Sequence, residues 1–129
     1  MSTSCLVVAV IDDDDLVRDA LAAILPAFDC EVETYASADA FLCAVGTTKA
    51  RCLVIDVNLG LFCGITLGRG LVQAGFGYSV IYMSANTDEA TRQRAHDAGC
   101  VAFLTKPFTS KDLAHALDVA RRREAAGCH

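Results

Sequence analysis

No stretch of this chain is apolar for long enough to cross a bilayer. The longest plainly apolar run, Cys5 to Ile11, falls far short of the roughly 20 residues a spanning helix needs. No basic residue precedes that run and it leads straight into Asp12, which argues against a secretory leader. The sequence therefore reads as soluble and cytoplasmic, with no membrane partner. Positive charge is scarce as well: 11 Lys and Arg stand against 16 Asp and Glu, a net charge of −5. Such a balance offers no basic field for a phosphate backbone, so direct nucleic-acid binding by this domain is not expected. The one basic run, Arg121-Arg122-Arg123, reads as cations stabilising the last turn of a helix.

Cysteine is plentiful, at seven residues, but pattern is missing: the count is odd, the spacing irregular, and no Cys-x-x-Cys occurs. That argues against a metal or redox framework. Several cysteines sit in apolar surroundings, as Cys52 does before Leu53-Val54-Ile55, and read as small buried hydrophobes. Cys63, in a glycine-rich loop, is the thiol that stands apart. Repeats, low-complexity segments and internal linkers are also lacking. With 129 residues, 53% of them hydrophobic, the chain can bury one core. The expectation is one domain over 1–129, with a core of about 5–121 and a tail or linker remnant at 122–129.

What is present is a regular alternation of strand-like and helix-like segments. Leu6 to Ile11 is apolar throughout, as a strand covered on both faces must be. A helix follows with apolar positions Leu16, Val17, Ala20, Leu21, Ile24 and Leu25, ended or distorted at Pro26, which has no backbone N–H to give. Glu31 to Tyr35 is mixed in character and reads as an edge strand. Ser37 caps a second helix carrying Ala40, Phe41, Leu42 and Val45, closed by Gly46. Cys52 to Ile55 is a third strand stopping at Asp56. Between Asn58 and Gly77 six glycines interrupt a helical pattern; at roughly 1 kcal/mol for each interior glycine, a short or loosely held third helix is expected. Val80 to Met83 ends at Ser84, a polar helix covers Asp88 to Ala98, Val101 to Leu104 ends at Thr105-Lys106-Pro107, and Thr109 or Ser110 caps a final helix. Alternation of this kind predicts an α/β fold: a flavodoxin-like, doubly wound, five-stranded parallel sheet in the order 2-1-3-4-5, with helices on both faces.

In such sheets ligands bind beyond the carboxyl ends of the strands. Asp12 and Asp13 follow the first strand, Asp56 the third, Ser84 the fourth and Lys106 the fifth. Crowded carboxylates need a cation or raised pKa values to coexist, and an all-oxygen set suits Mg²⁺. A carboxylate nucleophile beside a lysine and a metal can accept a phosphoryl group as an acyl phosphate.

Four motifs, Ile11-Asp12-Asp13-Asp14, Val54-Ile55-Asp56-Val57-Asn58-Leu59, Met83-Ser84-Ala85 and Phe103-Leu104-Thr105-Lys106-Pro107-Phe108, stand in register at the strand ends. In that order they resemble the response-regulator receiver domains of bacterial two-component systems, over about Leu6 to Arg121. The resemblance implies Asp56 as phosphoacceptor and Asp13 as direct ligand of Mg²⁺ or Mn²⁺, with Asp12 helping directly or through water. Asn58 would give the metal its backbone carbonyl. Ser84 would respond to the phosphoryl group, Lys106 would pair with it, and Phe103 would be an aromatic switch that turns inward when the Ser84 hydroxyl moves. Lys106-Pro107 would be a cis peptide aiming the lysine into the site. Asp14 and Asp15 read instead as carboxylates favouring a helix N-terminus, and His96, His115 and His129 as solvated.

The sequence departs from the family where Leu59 is followed by Gly60-Leu61 rather than proline, although Gly64 keeps the expected glycine. Losing the proline should loosen that loop. The leading expectation is a signalling switch, not a turnover enzyme: a histidine kinase phosphorylates Asp56, and the surface of the fourth helix, fifth strand and fifth helix shifts. A small aspartyl-phosphate phosphatase and a phosphate-independent binding module are the rivals. Val17-Arg18-Asp19-Ala20-Leu21 and Tyr35-Ala36-Ser37-Ala38 resemble receivers followed by a helix-turn-helix domain, so the partner downstream is a separate protein, an output domain beyond this chain, or a second copy in a homodimer.

Overall fold

The wholly apolar runs become the interior strands. The computed structural model describes residues 5–86 and 88–126; Cys128 and His129 lie outside them. The strands are β1 (Leu6–Ile11), β2 (Cys30–Tyr35), β3 (Cys52–Asp56), β4 (Asn58–Leu59), β5 (Phe62–Cys63), β6 (Ser79–Ser84) and β7 (Ala102–Thr105). All but β4 and β5 form one parallel sheet in the order β2-β1-β3-β6-β7. Counting only its own strands, that is 2-1-3-4-5, the flavodoxin-like order, with β2 at an edge as its mixed sequence implies.

Alternate residues of each strand enter different cores. Val8 and Val10 of β1 join Val54 of β3 and Met83 of β6 beneath α1 (Asp15–Ile24) and α5 (Ser110–Ala126), where Leu21, Leu113 and Leu117 meet them. Ala9 and Ile11 face the other way, with Leu53, Ile55 and Tyr82, toward α2 (Ala38–Ala44), α3 (Gly64–Gln73) and α4 (Glu89–Asp97). Every residue of β3 is buried. Each large side chain so enclosed contributes about 1.5–3 kcal/mol relative to exposure.

The helix starts follow side-chain chemistry. Asp14 accepts from the Leu16 amide at 2.9 Å and Ser37 from the Ala40 amide at 3.0 Å. Thr109, rather than Ser110, caps α5: its hydroxyl accepts from the Asp112 amide while Asp112 accepts from the Thr109 amide, both at 3.1 Å, a reciprocal capping box. Beyond Ile24 the chain turns into a single 3-10 turn, Leu25–Phe28, with Pro26 at its start.

Four expectations need correction. Leu16 keeps helical spacing but projects outward, at 77% exposure. The third helix is neither short nor frayed; α3 has 10 residues, as α1 does. A Cβ at Gly64 would stand 2.1 Å from the Asp56 carbonyl oxygen, and one at Gly68 2.0 Å from the Tyr82 hydroxyl, so these glycines let α3 lie close on β3 and β6. The loop expected to loosen is an antiparallel hairpin of β4 and β5, turned at Gly60 with φ 67°, a left-handed conformation that glycine adopts without steric penalty. Arg123 does stand in the last turn of α5, but the helix runs on past the expected core boundary and the arginines also bind other elements. Arg121 donates to the carbonyls of Phe28 and Asp29, Arg123 to the carbonyl of Gly77 at 3.1 Å and the hydroxyl of Ser79 at 2.9 Å, and Arg122 pairs with Asp118. Helix α5 continues past Arg121 to Ala126.

Candidate functional site

The parallel register delivers the polar residues to one edge. Ile11 pairs with Ile55, Asp56 with Met83, and Ser84 with Thr105, so the next residues along, Asp12, Asp56, Ser84 and Lys106, emerge side by side. Main-chain bonds tie them together: the Val57 amide donates to the Met83 carbonyl at 2.9 Å and the Lys106 amide to the Ser84 carbonyl at 2.8 Å. The Lys106–Pro107 peptide bond is cis.

Lys106 joins the two buried carboxylates. Its Nζ donates to Asp56 Oδ2 at 2.7 Å and to Asp12 Oδ2 at 3.1 Å. The opposite oxygens accept backbone amides, Asp12 Oδ1 from Asp14 at 2.9 Å and Asp56 Oδ1 from Asn58 at 2.8 Å. Asp12 is fully buried and Asp56 7% exposed. Burial and, behind it, the charge of Asp56 push the Asp12 pKa up, against the pull of the Asp14 amide and Lys106. For Lys106 burial acts to lower the pKa, but the hydrogen bonds and charges of Asp56 and Asp12 outweigh it and hold it above its ordinary value. One ammonium thus neutralises part of a two-carboxylate pocket.

The remaining expected residues are arranged around this triad. Asp13 is exposed, and a Cβ at Gly60 would stand 3.6 Å from its Oδ2, so its carboxylate faces the β4–β5 hairpin. Asn58 opens that hairpin, its side chain exposed. Ser84 is fully buried and its hydroxyl accepts from the Asn86 amide at 3.0 Å. Phe103 is half-buried on β7, packed against the core that contains Tyr82. Asp14 and Asp15 serve the start of α1 as expected, and His96 and His115 are exposed; His129 lies outside the described residues.

Among the described residues no three His, Cys, Asp or Glu side chains converge closely enough to enclose a metal on their own. Zinc would require such a cage; magnesium takes one or two carboxylates with water and phosphate oxygens. Two buried carboxylates sharing one lysine, with Asp13 and the Asn58 backbone at the rim, form a hard-oxygen set that suits the latter ion.

Two arginines near the site escaped the sequence reading. Arg18 donates to the Asp12 carbonyl at 2.6 Å and pairs with Asp15; its three-residue spacing from Asp15 on a helix was the available signal. Arg92 of α4 stacks over Phe103, 5.3 Å from the ring centroid, and no local pattern foreshadows that contact. Cysteine roles divide by burial. Among the described cysteines all are free thiols, and burial pushes Cys52 up to about 12. At Cys63 burial acts to raise the pKa, but the Thr66 and Ile65 amides and Arg94 prevail and lower it.

Comparison with known proteins agrees with this arrangement. The family described as "Response regulator receiver domain" matches residues 8–118. The chain is 33% identical to response regulator protein TmoT of Ectopseudomonas mendocina over 114 residues, 88% of this chain and 52% of that protein. It is 35% identical to transcriptional regulatory protein FixJ of Azorhizobium caulinodans over 120 residues, 93% of this chain and 57% of that one. The chain thus spans about half the length of the curated relatives it matches. The solved structure of FixJ-N superposes with a TM-score of 0.84 at 28% identity, over 95% of this chain and 96% of that one. A CheY-like receiver from Methanospirillum hungatei gives 0.86 at 22% identity, over 96% and 100%, a likeness of fold. Among the described residues no helix is long and apolar enough to cross a membrane. Sheet order, strand-end residues and sequence agree: the chain belongs to the receiver domains of response regulators, the signalling modules of two-component systems.

Proposed function

We propose that Asp56 is the phosphoacceptor of a cytoplasmic signalling switch and that a histidine kinase is its donor. The observation that carries this reading is the 2.7 Å contact of Lys106 with a nearly buried Asp56. An Asp56 carboxylate oxygen attacks phosphorus, a new O–P bond forms, and the P–N bond to the donor imidazole breaks. Lys106, already charged, moves from a carboxylate oxygen to the phosphoryl oxygens. The Ser84 hydroxyl, which accepts from the Asn86 amide in the resting form, rotates to donate to another of them. Asp12, Asp13, Asp56 and the Asn58 carbonyl would hold a Mg²⁺ or Mn²⁺ ion, which when bound offsets charge on the phosphoryl group. Such catalysis consists of positioning and electrostatics, and the same residues assist hydrolysis without turnover of a separate substrate.

Movement of Ser84 frees Phe103 to turn inward, shifting the face formed by α4, β7 and α5. This biases an equilibrium that the phosphoryl group reads through differential contacts. The relatives, about twice as long, include proteins named as transcriptional regulators, so the shifted face signals to an output domain or a downstream protein, or to a second copy of the chain. Incubation with acetyl phosphate and Mg²⁺ tests the assignment. Wild type gains one phosphoryl group by mass spectrometry, whereas Asp56→Asn or chelation of the metal abolishes the gain. Undiminished labelling of Asp56→Asn would refute it.

A further inference from the structure

Helix α4 is lightly held. It buries only Thr91 and Ala95, and its sequence, Glu89-Ala90-Thr91-Arg92-Gln93-Arg94-Ala95-His96-Asp97, offers few apolar groups to the sheet. Arg92 supplies a different kind of attachment. Its guanidinium lies 5.3 Å from the centroid of the Phe103 ring, and its Nη2 donates to Thr105 Oγ1 at 3.0 Å. Phe103 and Thr105 are two apart on β7 and so share one face of the sheet. A single side chain therefore grips the ring and the hydroxyl at once, across from the strand end that carries Ser84.

We propose that Arg92 is a latch on the resting state, a positioning residue that holds Phe103 in its half-buried place on β7 and sets how readily the domain switches. This rests on the reading of Asp56 as phosphoacceptor and Phe103 as switch. The cation–π contact needs the ring beneath the guanidinium; an inward turn of Phe103 breaks it, so Arg92 stabilises one of the two states only. Differential stabilisation is what moves such an equilibrium. By linkage, a group that favours the resting state opposes phosphorylation by the same factor. Arg92 thus raises the threshold for activation from a position outside the acceptor pocket, and it ties the tilt of α4 to the rotamer of an aromatic side chain.

The test uses the full chain with Mg²⁺ and beryllium fluoride, a phosphoryl mimic, in wild type, Arg92→Ala, Arg92→Gln and Arg92→Lys. Amide NMR signals of residues 84 and 103–106 report the state, and thermal melts report folding. In Arg92→Ala the unliganded signals move part of the way along the line from resting to fluoride-bound wild type. Half-saturation falls on the order of fivefold. Arg92→Gln keeps a donor for Thr105 and falls between; Arg92→Lys keeps the charge and lies nearest wild type. A purely structural role would lower the melting temperature without moving signals along that line, which overturns the latch. Unchanged resting signals and unchanged half-saturation in Arg92→Ala, with wild type responding, overturn it as well. A wild type blind to beryllium fluoride removes the phosphoacceptor reading and the latch together.

Discussion

Replacing Gly68 with alanine should destabilise the protein, although the same change two residues away, at Gly70, should stabilise it. A glycine inside a helix carries a penalty of about 1 kcal/mol relative to alanine, so local propensity favours both substitutions. At Gly70 nothing lies within 4 Å of the new Cβ, and Gly70→Ala should gain most of that penalty. At Gly68 the Cβ would stand 2.0 Å from the Tyr82 hydroxyl oxygen and 2.9 Å from Cζ. Tyr82 is fully buried, so its ring has no open space in which to retreat. Overpacking of this kind costs about 1–3 kcal/mol, which leaves Gly68→Ala a net loss of about 1 kcal/mol after the helical gain. The Tyr82 hydroxyl makes one long hydrogen bond, 3.4 Å to the Ile65 carbonyl, so Tyr82→Phe loses little and opens the contested space. Urea titrations of wild type, both single variants and the double variant form a mutant cycle. With a slope of about 1–3 kcal/mol per molar urea, Gly68→Ala lowers the midpoint by roughly half a molar unit, and the double variant recovers most of it. Additivity within about 0.5 kcal/mol, or stabilisation by Gly68→Ala equal to that by Gly70→Ala, would show that α3 does not depend on this close approach.

Two further outcomes follow from the electrostatics. Although Cys63 is only partly exposed, its lowered pKa predicts faster carboxymethylation at pH 7 than the exposed Cys5 and Cys43, since the thiolate is the nucleophile. Peptide mapping reads this, and Arg94→Ala, which removes the guanidinium 3.3 Å from Sγ, should slow it severalfold; slower reaction of Cys63 than of Cys5 counts against the assignment. Asp88 caps α4 through the Thr91 amide at 2.9 Å, and its bonds to Thr91 hold its pKa below the ordinary 3.8. Because the folded state lowers this pKa, the stabilisation is complete above pH 3.8 and vanishes as pH falls through the folded value. The protection of the Thr91 amide, its exchange taken relative to the intrinsic rate at each pH, should therefore fall in acid, and in Asp88→Asn, which keeps the acceptor, that fall should disappear.

How much of this was legible in the sequence depended on whether the signal was local. Leu6 to Ile11, Cys52 to Ile55 and Val80 to Met83 are continuous apolar runs, and each became a buried strand because only a sheet covered on both faces tolerates such a run. Asp12, Asp56, Ser84 and Lys106 stood out because a parallel sheet turns strand ends into neighbours. The hairpin of Asn58–Leu59 and Phe62–Cys63 was missed, since two-residue strands are too short to show a period. The glycines of α3 misled for a different reason: propensity counted them as defects, whereas Gly64 and Gly68 answer to the Asp56 carbonyl and the Tyr82 hydroxyl, both on strands outside the helix. Leu16 had the right period and the wrong exposure, because spacing locates a stripe but not its margin. The partners of Arg92 and Arg123 likewise lie on other elements.

The far end of α5 carries one more consequence. Glu124 accepts from the Ser79 hydroxyl at 2.8 Å and from Arg51 at 3.4 Å, while Arg123 grips Ser79 and the Gly77 carbonyl. These bonds fasten the helix where the strands begin, at the rim opposite the acidic pocket. A body pinned at one extremity responds to a push at the other by swinging about the pin. On the proposed switch, displacement beside Lys106 should therefore carry the Thr109 end of α5 farthest and leave the Ser79 end least moved.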